Sequence, residues 1–173
     1  MAELTPDCDN CAALCCVGLA FDKGDMFAFD KQAGEACRHL VGPRCGIHAG
    51  LEGAGLKGCV RYQCEGAGQR VVQEVFDGQS WQDTPALLEP MLMAFAQMRA
   101  VHRHLVLLGA AEALPLSAKQ RGTVASFRER LTPETGFTEE TLAALETSGI
   151  FKALPAFFHS LRGVAGAGPD GGM

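Results

Sequence analysis

Thiols carry most of the chemistry open to this chain. Cys8, Cys11, Cys15, Cys16, Cys37, Cys45, Cys59 and Cys64 fall within the first 64 residues, His39 and His48 stand among them, and no cysteine follows. Such a density points to a covalent or metal framework. Disulfides persist in oxidising compartments, whereas the cytosol keeps thiols reduced and available as ligands. The apolar run from Cys11 to Phe21 sits behind Asp7 and Asp9 instead of a basic segment, and it lacks the length and flanks of a secretory signal. No hydrophobic stretch precedes Cys8 in the manner of a lipoprotein cysteine. The expectation is an intracellular, cytoplasmic protein whose cysteines hold metal.

Thiolates are soft anionic donors for zinc and iron, and two of them separated by two residues wrap one ion because the intervening backbone turns tightly. Cys8-Asp-Asn-Cys11 is such a pair. Cys37-Arg-His39 and Cys45-Gly-Ile-His48 add thiolate and imidazole donors, and the pair Cys59 and Cys64 closes the set. A tetrahedral ion takes four ligands, so eight cysteines exceed one mononuclear site. Two sites, a polynuclear cluster, or one site with spare thiols each fit that count. Adjacent side chains ordinarily point apart, which assigns Cys15 and Cys16 to different shells. The candidate metal ligands are Cys8, Cys11, Cys15, Cys16, Cys37, Cys45, His48, Cys59 and Cys64, with His48 preferred over His39 as the imidazole donor.

The order Cys-x2-Cys-x3-Cys-Cys, followed by Cys37-Arg-His-Leu, Cys45-Gly-Ile-His48 and Cys59-Val-Arg-Tyr-Gln-Cys64, resembles the YkgJ-like CxxCxxCC family of zinc- or iron-chelating proteins. The match covers residues 8 to 64, about a third of the chain, and takes in all eight cysteines. What the resemblance implies is metal chelation in a small intracellular protein, with no reaction attached to the family as a whole. Two departures stand out. Three residues, not two, precede the double cysteine, and the tract Ala49 to Gly58 is glycine-rich where relatives often show Arg-Pro. A similar constellation in flagellin lysine methylases is associated with an iron-sulfur cluster, which supplies the alternative of a metalloenzyme or electron-transfer protein. Structural zinc accepts histidine and suits the Cys-x2-Cys start, whereas cluster binding is usually by cysteine alone. Zinc is the first reading, with an iron-sulfur cluster or iron as the alternative.

Other motifs carry less. Gly53-Ala-Gly-Leu-Lys-Gly58 has the dinucleotide spacing but follows no strand and is bracketed by Cys45 and Cys59, so it reads as linker. Gly66-Ala-Gly68 reads as a turn that lets the backbone approach a metal centre. Met91 and Met98 fall on an apolar stripe and read as core, and His102, His104 and His159 as ordinary helix residues. Trp81, near Phe76, is expected to pack at a junction. No serine elbow, phosphate loop or His-Glu-x-x-His motif is present, so catalysis would have to use the metal centre, with Asp7, Asp9 or Glu65 as acid or base. Whether the chain is an enzyme stays open. A net charge of -5 and the absence of a Lys/Arg-rich run argue against nucleic acid, and the cluster Arg99, His102, Arg103 and His104 reads as a solvated helix face. No run of about 18 uncharged apolar residues crosses a membrane.

The elements that must position the thiols divide near residue 70. The expected fold is mostly α, with a loop-rich, cysteine-metal-stapled module over 1–70, a helical module over 71–162 packed on it, and a disordered tail over 163–173. Within the first module, Cys16 to Asp22 and Met26 to Asp30 flank Lys23-Gly24 as a small hairpin. Thr84 and Pro85 open the longest helix, with Leu87, Met91, Phe95, Met98, Val101, Leu105 and Leu108 at intervals of three and four; Gly109 and then Pro115 punctuate its end, which frays through Ala110 to Leu114. Ser117 caps a helix to Leu131 and Thr138 one to Thr147. A last helix spans Ile150 to Leu161, kinked or displaced by Pro155. Its surface and that of its neighbours offer the face for a protein partner.

Overall fold

A computed structural model describes residues 4–165. The chain is mostly helical, and its axis is α4, Leu88–Glu112, reached through a 3-10 turn at Pro85–Leu87. Met91, Ala94, Phe95, Met98, Val101, Leu105, Leu108 and Ala111 are buried along one stripe of α4, the spacing that brings side chains to one helical face. Its start differs from the sequence expectation. Thr84 stands before the 3-10 turn and its side chain caps nothing, so the α-helix begins one turn later. Its end at Glu112 falls within the stretch Ala110 to Leu114 expected to fray, with Gly109 inside the helix. One interior glycine costs about 1 kcal/mol, and burial of Leu108 and Ala111 on either side of it outweighs that.

The helices after α4 follow their caps. For orientation, α1 is Leu14–Gly18, α2 Lys57–Arg61 and α3 Ala67–Arg70. After α4 come α5, Ala118–Leu131, and α6, Glu139–Thr147, then α7, Ile150–Ser160, and α8, Arg162–Ala165. The Ser117 hydroxyl accepts from the Gln120 N–H while Gln120 reaches back to the Ser117 N–H, and Thr138 and Thr141 do the same for α6. Pro155 lies inside α7 and leaves its start at Ile150, behind Gly149 with φ 78°. The helix expected to stop at Leu161 passes into α8, so the chain is helical to Ala165. The rest of the tail expected to be disordered, 166–173, lies outside the described residues.

The cysteine-bearing segment is short-ranged in its regular structure. Its hairpin is reduced to a single antiparallel bridge between Phe21 and Lys31, closed by Gly24 and Phe27 through their main chains and by stacking of Phe21 on Phe27 at 4.2 Å. Residues 16–18 belong to α1 and not to that hairpin. Two residues pair on each side of a tight turn, β1 Leu40–Val41 with β2 Arg44–Cys45. α3 runs on as a π-helical turn, Val71–Val75, through the boundary that composition places near residue 70. Both α1 and α3 pack on α4, and one apolar core joins Ala12, Leu14, Ala67 and Val71 to the α4 stripe. The thiol-bearing loops therefore rest directly on the longest helix.

Candidate metal centre

Two matching backbone devices frame the thiols. After Cys11 the chain takes two consecutive left-handed residues, Ala12 (φ 47°) and Ala13 (φ 52°), and after Cys64 it does so again at Glu65 (φ 52°) and Gly66 (φ 80°). A non-glycine residue in that region costs on the order of 1–2 kcal/mol, so the surroundings must hold it there. They do so with aromatic N–H groups. Trp81 donates its indole Nε1–H to the Ala12 carbonyl at 2.8 Å, and His102 directs Nδ1–H at the Glu65 carbonyl. Gly68 completes the fit, because a Cβ there would stand 2.9 Å from that of Cys11. Lacking a side chain, it lets α3 close on the first cysteine loop.

All eight cysteines are free thiols, with Cys8 exposed, Cys11 buried and the other six half-buried. Main-chain bonds gather them. Cys11 donates its thiol to the Cys8 carbonyl at 3.4 Å, the Cys37 N–H bonds the Cys16 carbonyl at 3.0 Å, and Leu40, whose N–H bonds the Cys37 carbonyl, pairs with Cys45 across the ladder. The fields of the thiols report the same grouping. Burial raises the Cys8 thiol, with Cys15 and Cys64 adding to it, and burial likewise pushes Cys11 up to about 12, with Cys15, Cys8 and Cys64 contributing. Cys59 is raised by burial and then by Cys37, Cys15 and Cys45. Cys15 is raised most strongly through a hydrogen bond with the Cys16 thiol, then by burial. Cys8, Cys11 and Cys64 thus form one neighbourhood and Cys37, Cys45 and Cys59 another, with Cys15 common to both. The Cys16 thiol comes within hydrogen-bonding reach of its neighbour Cys15, where the sequence predicts that the two diverge.

The imidazoles stand differently. His48 is exposed at the start of a one-turn 3-10 helix, and His39 packs edge-on against Phe29 at 5.7 Å. Two residues missed in sequence face the thiols. The Tyr62 hydroxyl is buried with no hydrogen-bond partner among the described residues; burial raises its pKa, Arg99 opposes, and Cys15, Cys64 and Cys11 add to the rise. Lys31, 3% exposed, gives its ammonium to the carbonyls of Val17, Leu19 and Gln32 at 2.9, 2.6 and 3.0 Å. Burial lowers its pKa, against the fields of Cys37, Cys16, Glu35 and Cys15. Tyr62 sits between Cys59 and Cys64, which is the only hint that sequence offers; nothing local marks Lys31. His102 also departs from its expected place on a solvated face, being fully buried.

Two of the acid and base candidates, Asp7 and Asp9, are engaged in holding the loop. Asp7 accepts from the Asn10 side chain at 2.6 Å, which with main-chain bonds keeps its carboxyl below the ordinary range, and Asp9 pairs with Arg44 at 2.7 Å. At Glu65 it is the main-chain carbonyl, not the carboxylate, that His102 holds. Among the described residues, no three Cys, His, Asp or Glu side chains converge into a preformed cage. In kind, thiols are donors suited to a thiophilic metal, and on binding they would have to lose protons and draw together. The unpartnered Tyr62 hydroxyl is the sort of donor that a thiolate sulfur would satisfy.

The chain is 34% identical over 145 residues to a Bacillus subtilis (strain 168) protein, "Uncharacterized protein YybG", in an alignment covering 83% of this chain and 52% of that protein. It therefore spans about half the length of the curated relative it matches. No family model and no solved structure matches.

Proposed function

We propose that this chain is a metal-chelating protein of the YkgJ-like CxxCxxCC kind, holding zinc through its N-terminal cysteines and acting in the cytoplasm. The observation that carries the reading is the grouping of seven of the eight free thiols into two neighbourhoods with Cys15 common to both, and Cys16 beside Cys15. In this reading the metal staples the loops of residues 1–70 onto α4, and the outer helical faces serve a protein partner. Cys8, Cys11, Cys15 and Cys64 are the ligands on one side and Cys16, Cys37, Cys45 and Cys59 on the other. His48, exposed on its short turn, drops to a peripheral role.

The exposure of His48 and the packing of His39 on Phe29 leave the thiols as the donors at hand, and this favours an iron-sulfur centre as the second reading. Such a centre, when bound, would supply electron transfer or substrate activation, making the chain a metalloenzyme or electron carrier. Elemental analysis of full chain purified without oxygen tests both. Zinc at one or more ions per chain supports the first reading, and iron with acid-labile sulfide and a brown chromophore supports the second. A chain carrying neither metal, and taking up neither when reduced and reconstituted, overturns chelation.

A further inference from the structure

Buried polar atoms without a partner are rare, and each asks for a reason. Among the described residues two side chains carry one, the Tyr62 hydroxyl and Nε2 of His102. Both lie on one seam, where residues 62–66, the link between α2 and α3, meet α4. The seam has two rungs. The Arg99 guanidinium lies 5.4 Å from the Tyr62 ring, and about one turn further along α4 His102 directs its Nδ1–H at the Glu65 carbonyl. That carbonyl belongs to a left-handed residue, and the Cys64 carbonyl beside it closes the turn onto the Ala67 N–H at 2.9 Å. A strained turn and two unsatisfied polar atoms therefore fall at one short strap, whose release gives both atoms water.

His102 sets the condition for that release. Its ring is fully buried, one nitrogen already donates and the other has no acceptor, so a second N–H would be buried unpaired together with a charge. The charged groups that act on the ring are Arg70 of α3 and Glu74 of the π-helical turn. Glu74 is engaged through both oxygens, Oε2 by Arg70 at 2.8 Å and Oε1 by the Phe137 N–H at 2.6 Å, so its charge is already matched. Arg99, on the same helix as His102, is a further cation, and α5 and α6, which also pack on α4, bring no titratable side chain of the described residues into the field of the ring. We propose that residues 62–66 are an acid-released strap: proton uptake by His102 detaches them from α4 and gives Cys64 and Tyr62 to solvent while the α4 core stays folded. Histidine is the side chain suited to this, because its charge ordinarily changes near neutral pH. The inference stands apart from the chelation reading.

The test is amide hydrogen exchange of the full-length chain between about pH 5 and about pH 7.5, resolved by residue and corrected for intrinsic rates. Ala67 and Arg70, whose N–H groups bond the Cys64 and Gly66 carbonyls, report on the strap, and Met98 and Leu105 report on the α4 core. The expected result is a strap less protected than the core, its protection falling about tenfold for each pH unit below about 6.5, as one proton bound only in the open form requires. His102→Gln, which takes up no proton, is expected to abolish that slope at Ala67 and Arg70. Strap protection that does not change with pH overturns the proposal. Equal protection and equal slope in strap and core overturn it too, because residues 62–66 then leave α4 only when the whole chain unfolds. A folded His102→Gln that keeps the slope is a third contrary result. The native chain alone decides the first two, so the test holds even if the variant fails to fold.

Discussion

His102 shows how one buried ring ties chemistry to stability. Its Nδ1–H holds the Glu65 carbonyl, its Nε2 is buried without a hydrogen-bond partner among the described residues, and burial is the main cause that lowers its pKa below 6.5. The sign follows from linkage. The unfolded chain takes up the proton first, so this histidine adds stability above about pH 6.5 that is lost as the pH falls below it and levels off below the folded-state value. Chemical denaturation across that range is expected to show the loss, and His102→Gln to flatten it. Trp81 performs the same task at Ala12. Cys11, buried within its thiol group, is the cysteine whose removal is expected to act most directly, and Cys11→Ala retaining full metal content would refute its role as a ligand. The crowding of the cysteines was legible in sequence because it is a matter of local spacing, and their role as metal ligands is the proposal made above. The partners of the strained turns were not, because Trp81 and His102 meet Ala12 and Glu65 across 69 and 37 residues, and no pattern marks a left-handed alanine.

At the level of elements, local signals were read best where the physics is local. Ser117 and Thr138 start α5 and α6 as their side chains predict, because a cap needs only its own first turn. Removing the Ser117 hydroxyl is expected to cost about 1 kcal/mol, a melting-temperature drop of about 2–4 °C for a chain of this size, with metal content unchanged. The start of α4 and the helix that replaces one arm of the hairpin were misread, because packing on the core overrides propensity there. Gly68 joins this scale to the site. Gly68→Ala places a methyl group against Cys11, and the overpacking is expected to cost about 1–3 kcal/mol. In contrast with Ser117→Ala, it should lower metal uptake as well as melting temperature, since α3 is what brings Cys64 to the first loop.

Across the whole molecule, a continuous core joins the thiol loops to α4, so a metal held by those loops would be coupled to folding of the rest. Chelator treatment is therefore expected to lower the melting temperature in a single transition, because ligand binding to the folded state adds stability by mass action. A melt that chelation leaves unchanged would remove the stapling role. The composition break near residue 70 is real in sequence, yet the chain crosses it within one helical segment, since periodicity describes each stretch alone and not the surface on which it rests. The indole of Trp81 has one more consequence. It is the sole tryptophan of the chain, and its N–H is anchored in the loop between Cys11 and Cys15. Nature has thus placed the molecule's dominant fluorophore as a reporter on that loop, and its emission offers a label-free optical signal for events at the thiols.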